Sequence, residues 1–333
     1  MSRSRGEINR DMLFALGQTD VSIVAVGECM IELARGIDGR FALAFGGDTF
    51  NTAVYAARLG ANVKYLTAVG DDPFSMQIVA LAHSEGVGGD AILHVPERLP
   101  GLYLIETQQG ERTFYYWRQS SPARQLFDSE LAPRALESLA EAECIYLSGI
   151  TLSLYDDKAL DKFADAIIAA RQRGAVVAMD SNFRPQGWRS DIMRAREVFR
   201  RFWSLATLAL PTFEDEQMLW GDTTPQQTLD RIRQCGPPEV CIKAGGDGAY
   251  VVSEECAIEH VACPEIVDPV DTTAAGDSFN AAYLVSRLGG RPPCSAAEFG
   301  HRLAAIVIMH RGALAPTAAM QDLCADFTES LVP

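Results

Sequence analysis

An α/β domain built on a mainly parallel sheet is what this sequence of 333 residues predicts. Three observations predict it. Short runs rich in Val, Ile and Leu alternate with amphipathic stretches of helical length, the pattern of βαβ units with a parallel sheet. Glycine turns separate several of these runs from the helix that follows, and ligands of parallel sheets bind at such strand ends. No apolar run approaches the ~18 residues needed to cross a bilayer, so the hydrophobic fraction of 48% reads as buried core.

Each element follows from its local pattern. After a polar leader, residues 1–20, "VSIVAVGECMIELA" reads as one buried strand interrupted by Gly27. The leader's "MLFAL" is shorter than the roughly 7–15-residue apolar core of a secretory signal and reads as a frayed arm or a short docked helix. "FALAFGGDTFNTAVYAARLG" reads as strand, glycine turn and helix, with Asp48 or Thr49 as the cap and Gly60 as the stop. "NVKYLTAVG" is a strand, and "DPFSMQIVALAHSEGV" a helix ending near Gly86. Further along come "CIYLSGI", the helix "DKALDKFADAIIAARQRG", "AVVAMDSN", another helix, "LATLALPT", "EVCIKAGG" and a helix after Asp277. One region breaks the alternation: "GLYLIETQQGERTFYYWRQ" reads as a β-hairpin. With strand material near Phe41 to Phe45 it makes either a small β-lid over the strand ends or an ordinary surface hairpin; the lid, from about 36–45 and 99–120, is then an insertion in one domain spanning 21–330.

Composition narrows the function classes. Lysine and arginine total 29 against 44 acidic residues, and the net charge of −15 opposes nucleic acid and anionic membrane surfaces. The same charge repels small anionic substrates, so a site for one requires local arginines. The eight cysteines form no CxxC pair and no zinc spacing, which reads as reduced, mostly buried thiols in a cytoplasm.

The chemistry concentrates in "DTTAAGDSFNAAYL". Small residues from Thr272 to Gly276 let backbone approach a ligand, and the first N–H groups of the following helix lack internal acceptors, so the turn is an anion site. An aspartate there repels a phosphate and makes better sense as a base. Asp277 is positioned to accept a proton from an alcohol while the N–H groups hold the phosphoryl group under attack. On local sequence alone a plain Asp N-cap is the commoner explanation. Neither GxxxxGK[ST] nor GxGxxG occurs, against the P-loop and dinucleotide fingerprints.

The same stretch resembles the C-terminal signature of the ribokinase-like, pfkB-type carbohydrate kinases, and "FGGDTFNTAVYAARLG" resembles their N-terminal substrate segment. The similarity covers roughly Val21 to Pro316. Together "GECMIEL", "GGDTFNTAVY", "RLPGLYLIET", "GERTFYYWR", "YLSGI", "DSNFRP" and "DTTAAGDSF" are similar to the branch that phosphorylates 2-keto-3-deoxygluconate. The resemblance implies a three-layer ribokinase-like fold with a central sheet flanked by helices. It implies ATP and Mg2+, a sugar-acid substrate in uronate catabolism, and homo-oligomers that pair through the lid; a monovalent cation such as K+ near Asp271 stays open.

By that resemblance Asp277 is the base, with Ala274, Ala275 and Gly276 as the anion hole. A carboxyl of ordinary pKa, about 3.9, in a positive turn is expected to be ionised. Gly46, Gly47, Asp48 and Asn51 are implied to bind substrate hydroxyls, while Tyr103, Arg118 and Arg184 are implied as further substrate contacts. Two guanidinium groups suit an anionic acid. On the nucleotide side the resemblance implies Thr212, Lys243, Gly245 and Gly248, with His301 either beside adenine or on a helix surface. Asp215, implied to meet Mg2+ through water, replaces a glutamate, and Thr212 an asparagine, that many relatives carry. The alternatives are a related kinase of a neutral sugar such as fructose or ribose, and a non-catalytic sugar-acid sensor. The sensor would be expected to lose Asp277 or its turn, and both are present.

Overall fold

The structure, a computed structural model, describes residues 22–329 apart from 37, 109–110, 128–129, 255–256 and 265–267. The N-terminal extension, expected as a frayed arm or a short docked helix, therefore lies outside the described residues, as does the centre of the QQGE turn. The chain opens with β1 (Ser22–Val26), β2 (Met30–Arg35), β3 (Phe41–Gly46), α1 (Asp48–Arg58), β4 (Asn62–Val69), α2 (Pro73–Ser84) and β5 (Ile92–His94). The hairpin β6 (Leu102–Gln108) and β7 (Glu111–Trp117) follows, then α3 (Ala132–Ala140), β8 (Cys144–Ser148), α4 (Gly149–Ser153) and α5 (Asp157–Gln172). Next are β9 (Val176–Asp180), α6 (Ile192–Leu205), β10 (Leu208–Leu210), α7 (Phe213–Trp220), α8 (Pro225–Cys235) and β11 (Glu239–Lys243). The chain ends on β12 (Ala249–Val252), β13 (Glu259–Val261), α9 (Ala275–Leu288), α10 (Pro293–Val307) and α11 (Gln321–Glu329).

The main sheet runs β13-β12-β11-β10-β9-β8-β1-β4-β5. It is parallel from β11 to β5, and β12 and β13 are antiparallel. Its central strands are buried on both faces, so alternate residues feed two cores. Ile23 and Ala25 pack with α1, α9 and α10, whereas Val24 and Val26 pack on the opposite side, in the layer that holds α3, α5 and α6. The result is the three-layer α/β architecture that the resemblance implied, built on the parallel sheet that the alternation predicted.

The first strand departs from expectation. "VSIVAVGECMIELA" is not one strand: β1 joins the main sheet and β2 joins a second sheet of order β3-β2-β6-β7. Gly27 sits at the break, where an added Cβ would lie 2.0 Å from Thr49 Oγ1. Only a residue without a side chain lets α1 pack so closely there. In the small sheet β2 pairs antiparallel with β3 and parallel with β6, while β6 and β7 form the expected hairpin.

The chain order reverses at β1. From there β4 and β5 lie to one side, and β8 to β11 to the other. Such a switch point leaves a crevice at the carboxyl ends of the strands.

Candidate active site

A cleft of about 1140 Å³ occupies that crevice. Gly47, Asp48, Asn51, Asp180 and the whole turn Thr272–Asp277 line it from the main domain, and Tyr103 with residues 113–117 line it from the small sheet. Motifs from opposite ends of the chain thus meet in one space.

The turn is more strained and the helix longer than the sequence suggests. Helix α9 starts at Ala275, not at Asp277, which lies in its first turn. Ala274 precedes it with φ 60, the left-handed region that costs an alanine roughly 1–2 kcal/mol. The Ala275 N–H turns back to the Thr272 carbonyl at 3.3 Å, and Asp271 holds the approach. Its Oδ1 accepts from Thr273 N at 2.8 Å and its Oδ2 from Gly312 N at 3.0 Å.

Asp277 departs further from expectation. Rather than an ordinary ionised carboxylate, it is a buried carboxyl raised to about 8 by loss of solvent, then by the nearby charge of Asp48, and only partly restrained by Asn51. Asn51 Nδ2 donates to its Oδ2 at 2.8 Å. The dipole of α9 is outweighed because burial and a like charge act at shorter range.

Helix α1 brings Asp48 and Asn51 to the same place. Its N-cap is Gly47, which has no side chain, so neither Asp48 nor Thr49 caps it. Asp48 is instead free to face the cleft, where Asn182 Nδ2 donates to its Oδ2 at 2.8 Å. Burial raises the Asp48 carboxyl as well. Gly47 is required for closeness, since a Cβ there would lie 2.0 Å from the Glu28 carbonyl. At Gly46 the corresponding atom would lie 2.9 Å from the Tyr103 hydroxyl. That hydroxyl donates to Glu32.

The two arginines singled out from the sequence both line the cleft, and each is shared with a carboxylate. Arg118 pairs with the buried Glu28. Arg184 Nη1 lies 3.0 Å from Asp215 Oδ1, and Ser181 Oγ donates to Asp215 Oδ2 at 3.2 Å. Burial raises the Asp215 carboxyl against the pull of Arg184. Thr212, at the mouth, donates its N–H to Ser181 Oγ at 2.9 Å.

Behind the turn lies a network that sequence reasoning missed. Lys243 Nζ donates to Asp180 Oδ1 at 3.0 Å and to Asn280 Oδ1 at 2.8 Å. Asn280 Nδ2 in turn donates to Asp180 Oδ2 at 2.9 Å and to the Tyr146 hydroxyl at 3.0 Å. Asp180 and Asn182 sat within the quoted "DSNFRP", Asn280 within "DTTAAGDSFNAAYL" and Tyr146 within "YLSGI", but none of the four was singled out. Lys243 belongs to this buried network, although a Cβ on Gly276 would come within 3.8 Å of its Nζ.

Gly245 and Gly248 shape the β11–β12 connection at φ 55 and 95, and a Cβ on Gly248 would lie 2.3 Å from the Val261 carbonyl. His301 is not on a helix surface. It is buried on α10, 3.2 Å through Nε2 from the Val261 carbonyl, and edge-on to Phe279 at 5.0 Å. Burial lowers its basicity.

Among the described residues no three His, Cys, Asp or Glu side chains converge as a metal cage. Both Asp215 oxygens are engaged, so the site fits a hydrated ion met through water and held mainly by a phosphate-bearing ligand. Each described cysteine is a free thiol, three buried and four half-buried, and among the described residues no helix is long and apolar enough to cross a membrane.

The fold and the cleft define a class. Residues 20–320 match the pfkB family of carbohydrate kinases, and the chain belongs to that family. Among its curated relatives is the 2-dehydro-3-deoxygluconokinase of Dickeya dadantii, 41% identical over 312 residues, covering 91% of this chain and 99% of that protein. The protein of the same name from Escherichia coli K12 is 39% identical over 309 residues, covering 90% and 98%. Among solved structures, a Vibrio cholerae fructokinase with fructose, ADP and calcium bound superimposes with a TM-score of 0.80 at 21% identity, covering 93% of this chain and 99% of that one.

Proposed function

We propose that the protein transfers the γ-phosphoryl group of ATP to the 6-hydroxyl of 2-keto-3-deoxygluconate, in sugar-acid and uronate catabolism in the cytoplasm. The single observation that carries this reading is Asp277, a carboxyl of raised proton affinity at the N-terminus of α9, in a cleft it shares with Arg118 and Arg184. Two relatives at 41% and 39% identity bear the name of that activity. A fructokinase of Vibrio alginolyticus is 24% identical, so a neutral-sugar kinase is the second choice.

In the proposed reaction the substrate hydroxyl oxygen forms a bond to the γ-phosphorus while the bond from that phosphorus to the ADP oxygen breaks. The hydroxyl proton passes to the Asp277 carboxylate, whose Oδ2 is oriented by Asn51. A high proton affinity suits a group that must take a proton from an alcohol. The backbone of Ala274, Ala275 and Gly276 faces the transferring phosphoryl oxygens, favoured by the helix dipole.

Asp48, Asn51 and the Gly46–Gly47 backbone are assigned to substrate hydroxyls, with Tyr103, Arg118 and Arg184 beside them. Thr212, Lys243, Gly245, Gly248 and His301 are assigned to the nucleotide side, Lys243 and His301 by holding its walls. Mg2+, bound with the nucleotide, supplies charge neutralisation between phosphates, and Asp215 would hold it through water. The sheet β3-β2-β6-β7 is assigned as a lid. Exposed Phe41, Leu43, Tyr115 and Trp117 support a homo-oligomeric contact on it.

The test is ATP consumption with 2-keto-3-deoxygluconate, fructose and ribose in parallel, for wild type and Asp277→Asn. Turnover is expected only with the keto-deoxy acid, and a loss of several orders of magnitude is expected in the variant. Equal rates on fructose would replace the substrate, and an undiminished variant would remove the base.

A further inference from the structure

The charges around the cleft do not cancel locally. Four arginines line it, Arg118, Arg124, Arg184 and Arg189. Three of its five lining carboxylates are already taken by a cation: Glu28 by Arg118, Asp215 by Arg184 and Asp180 by Lys243. Asp48 and Asp277 take amide donors from Asn182 and Asn51 instead. Among the described residues, Arg124 and Arg189 have neither an ion-pair partner nor a side-chain hydrogen bond. Arg189 is exposed, whereas Arg124 is half-buried in the cleft wall.

We propose that Arg124 is a specificity-determining contact of this site, the guanidinium whose unpaired charge takes the carboxylate of the sugar acid. This rests on the function proposed above and extends it to a residue that the motifs did not single out. A half-buried cation without a counter-ion is costly, and a bound carboxylate relieves that cost. Burial depresses the proton affinity of Arg124, and the charges of Arg118 and Arg189 act in the same direction against Glu28. Arg124 thus lies where Arg118 and Arg189 act on it against the one carboxylate Glu28, which Arg118 already pairs, in a chain whose net charge of −15 repels anions at long range.

Position selects the substrate carboxylate over a nucleotide phosphate. Arg124 lies in the 3-10 turn Pro122–Gln125, which packs on β4. The glycine loop Gly245–Asp247 follows β11, and β8, β9 and β10 separate β11 from β1 in the sheet. Arg124 is thus at the end of the cleft that Gly47, Asp48 and Asn51 occupy.

The test compares 2-keto-3-deoxygluconate with its uncharged methyl ester in wild type, Arg124→Gln and Arg124→Lys. Wild type is expected to prefer the acid. In Arg124→Gln the KM for the acid is expected to rise about 10- to 100-fold, the size of a lost charge-assisted hydrogen bond. The KM values for the ester and for ATP should stay unchanged, and Arg124→Lys should recover part of the preference. A Gln variant that keeps the wild-type preference overturns the assignment, and so does a Lys variant as indifferent to charge as Gln. Without any variant, added salt should raise the wild-type KM for the acid more than for the ester; an equal response counts against Arg124. A wild-type enzyme that phosphorylates fructose and neither the acid nor the ester overturns the substrate itself, a failure distinct from that of Arg124.

Discussion

Replacing Asp277 by asparagine is expected to stabilise the protein while silencing it. Burial, followed by the charge of Asp48, carries this carboxyl from 3.8 to about 8. Each tenfold change in proton affinity corresponds to about 1.4 kcal/mol, so keeping Asp277 ionised in the folded chain costs on the order of 5 kcal/mol. The native state favours the neutral form. Its cost is therefore absent below the unfolded value of 3.8, grows as pH rises, and is complete above about 8. Asparagine carries no charge, and its amide oxygen can still accept from Asn51. Urea unfolding should find the two proteins equally stable near pH ~4, with the variant ahead by several kcal/mol at about pH 8.5. A gap that does not change with pH would refute the buried-carboxyl account. The same ionisation should govern catalysis: kcat/KM of the wild type is expected to rise with pH and level off above about 8, and a flat profile from about pH 6 to 9 would be the contrary result.

Two further predictions concern the frame around the cleft. Arg287 and Glu239 form a buried pair at 2.8 Å, with the Tyr283 hydroxyl on Glu239 at 2.7 Å; Arg287→Met should strand that carboxylate and lower unfolding stability by about 3–5 kcal/mol, and a loss under about 1 kcal/mol would contradict it. Gly47→Ala places its methyl against the Glu28 carbonyl, 2.0 Å from an ideal Cβ; it should cost about 3 kcal/mol in denaturant titration and about 100-fold in kcat/KM, because the start of α1 must move.

Much of this was visible in the sequence. The alternation of elements predicted the parallel sheet, since periods of two and near four are read over a few residues. The glycine turns located Gly47 and the stretch Thr272–Gly276, and every implied residue of the substrate and turn motifs except Gly46 lines one cleft. The antiparallel β12 and β13, by contrast, are short strands at one end of the sheet with little pattern of their own. The division of one apolar run between two sheets at Gly27 depends on α1 packing against it, which no local period records.

The order of the motifs, and the residue types they bring (an aspartate in a turn of small residues, polar groups and arginines), were determined by the sequence alone. Only the tertiary structure decided how tightly Asp277 holds its proton, because that depends on burial and on Asp48, which is remote in the chain. Likewise it decided which arginines are neutralised, by bringing Glu28 to Arg118 and Asp215 to Arg184 and leaving Arg124 without a partner among the described residues. Periodicity and turn chemistry act between neighbours, whereas desolvation and charge pairing act through space, among groups that only the completed fold assembles.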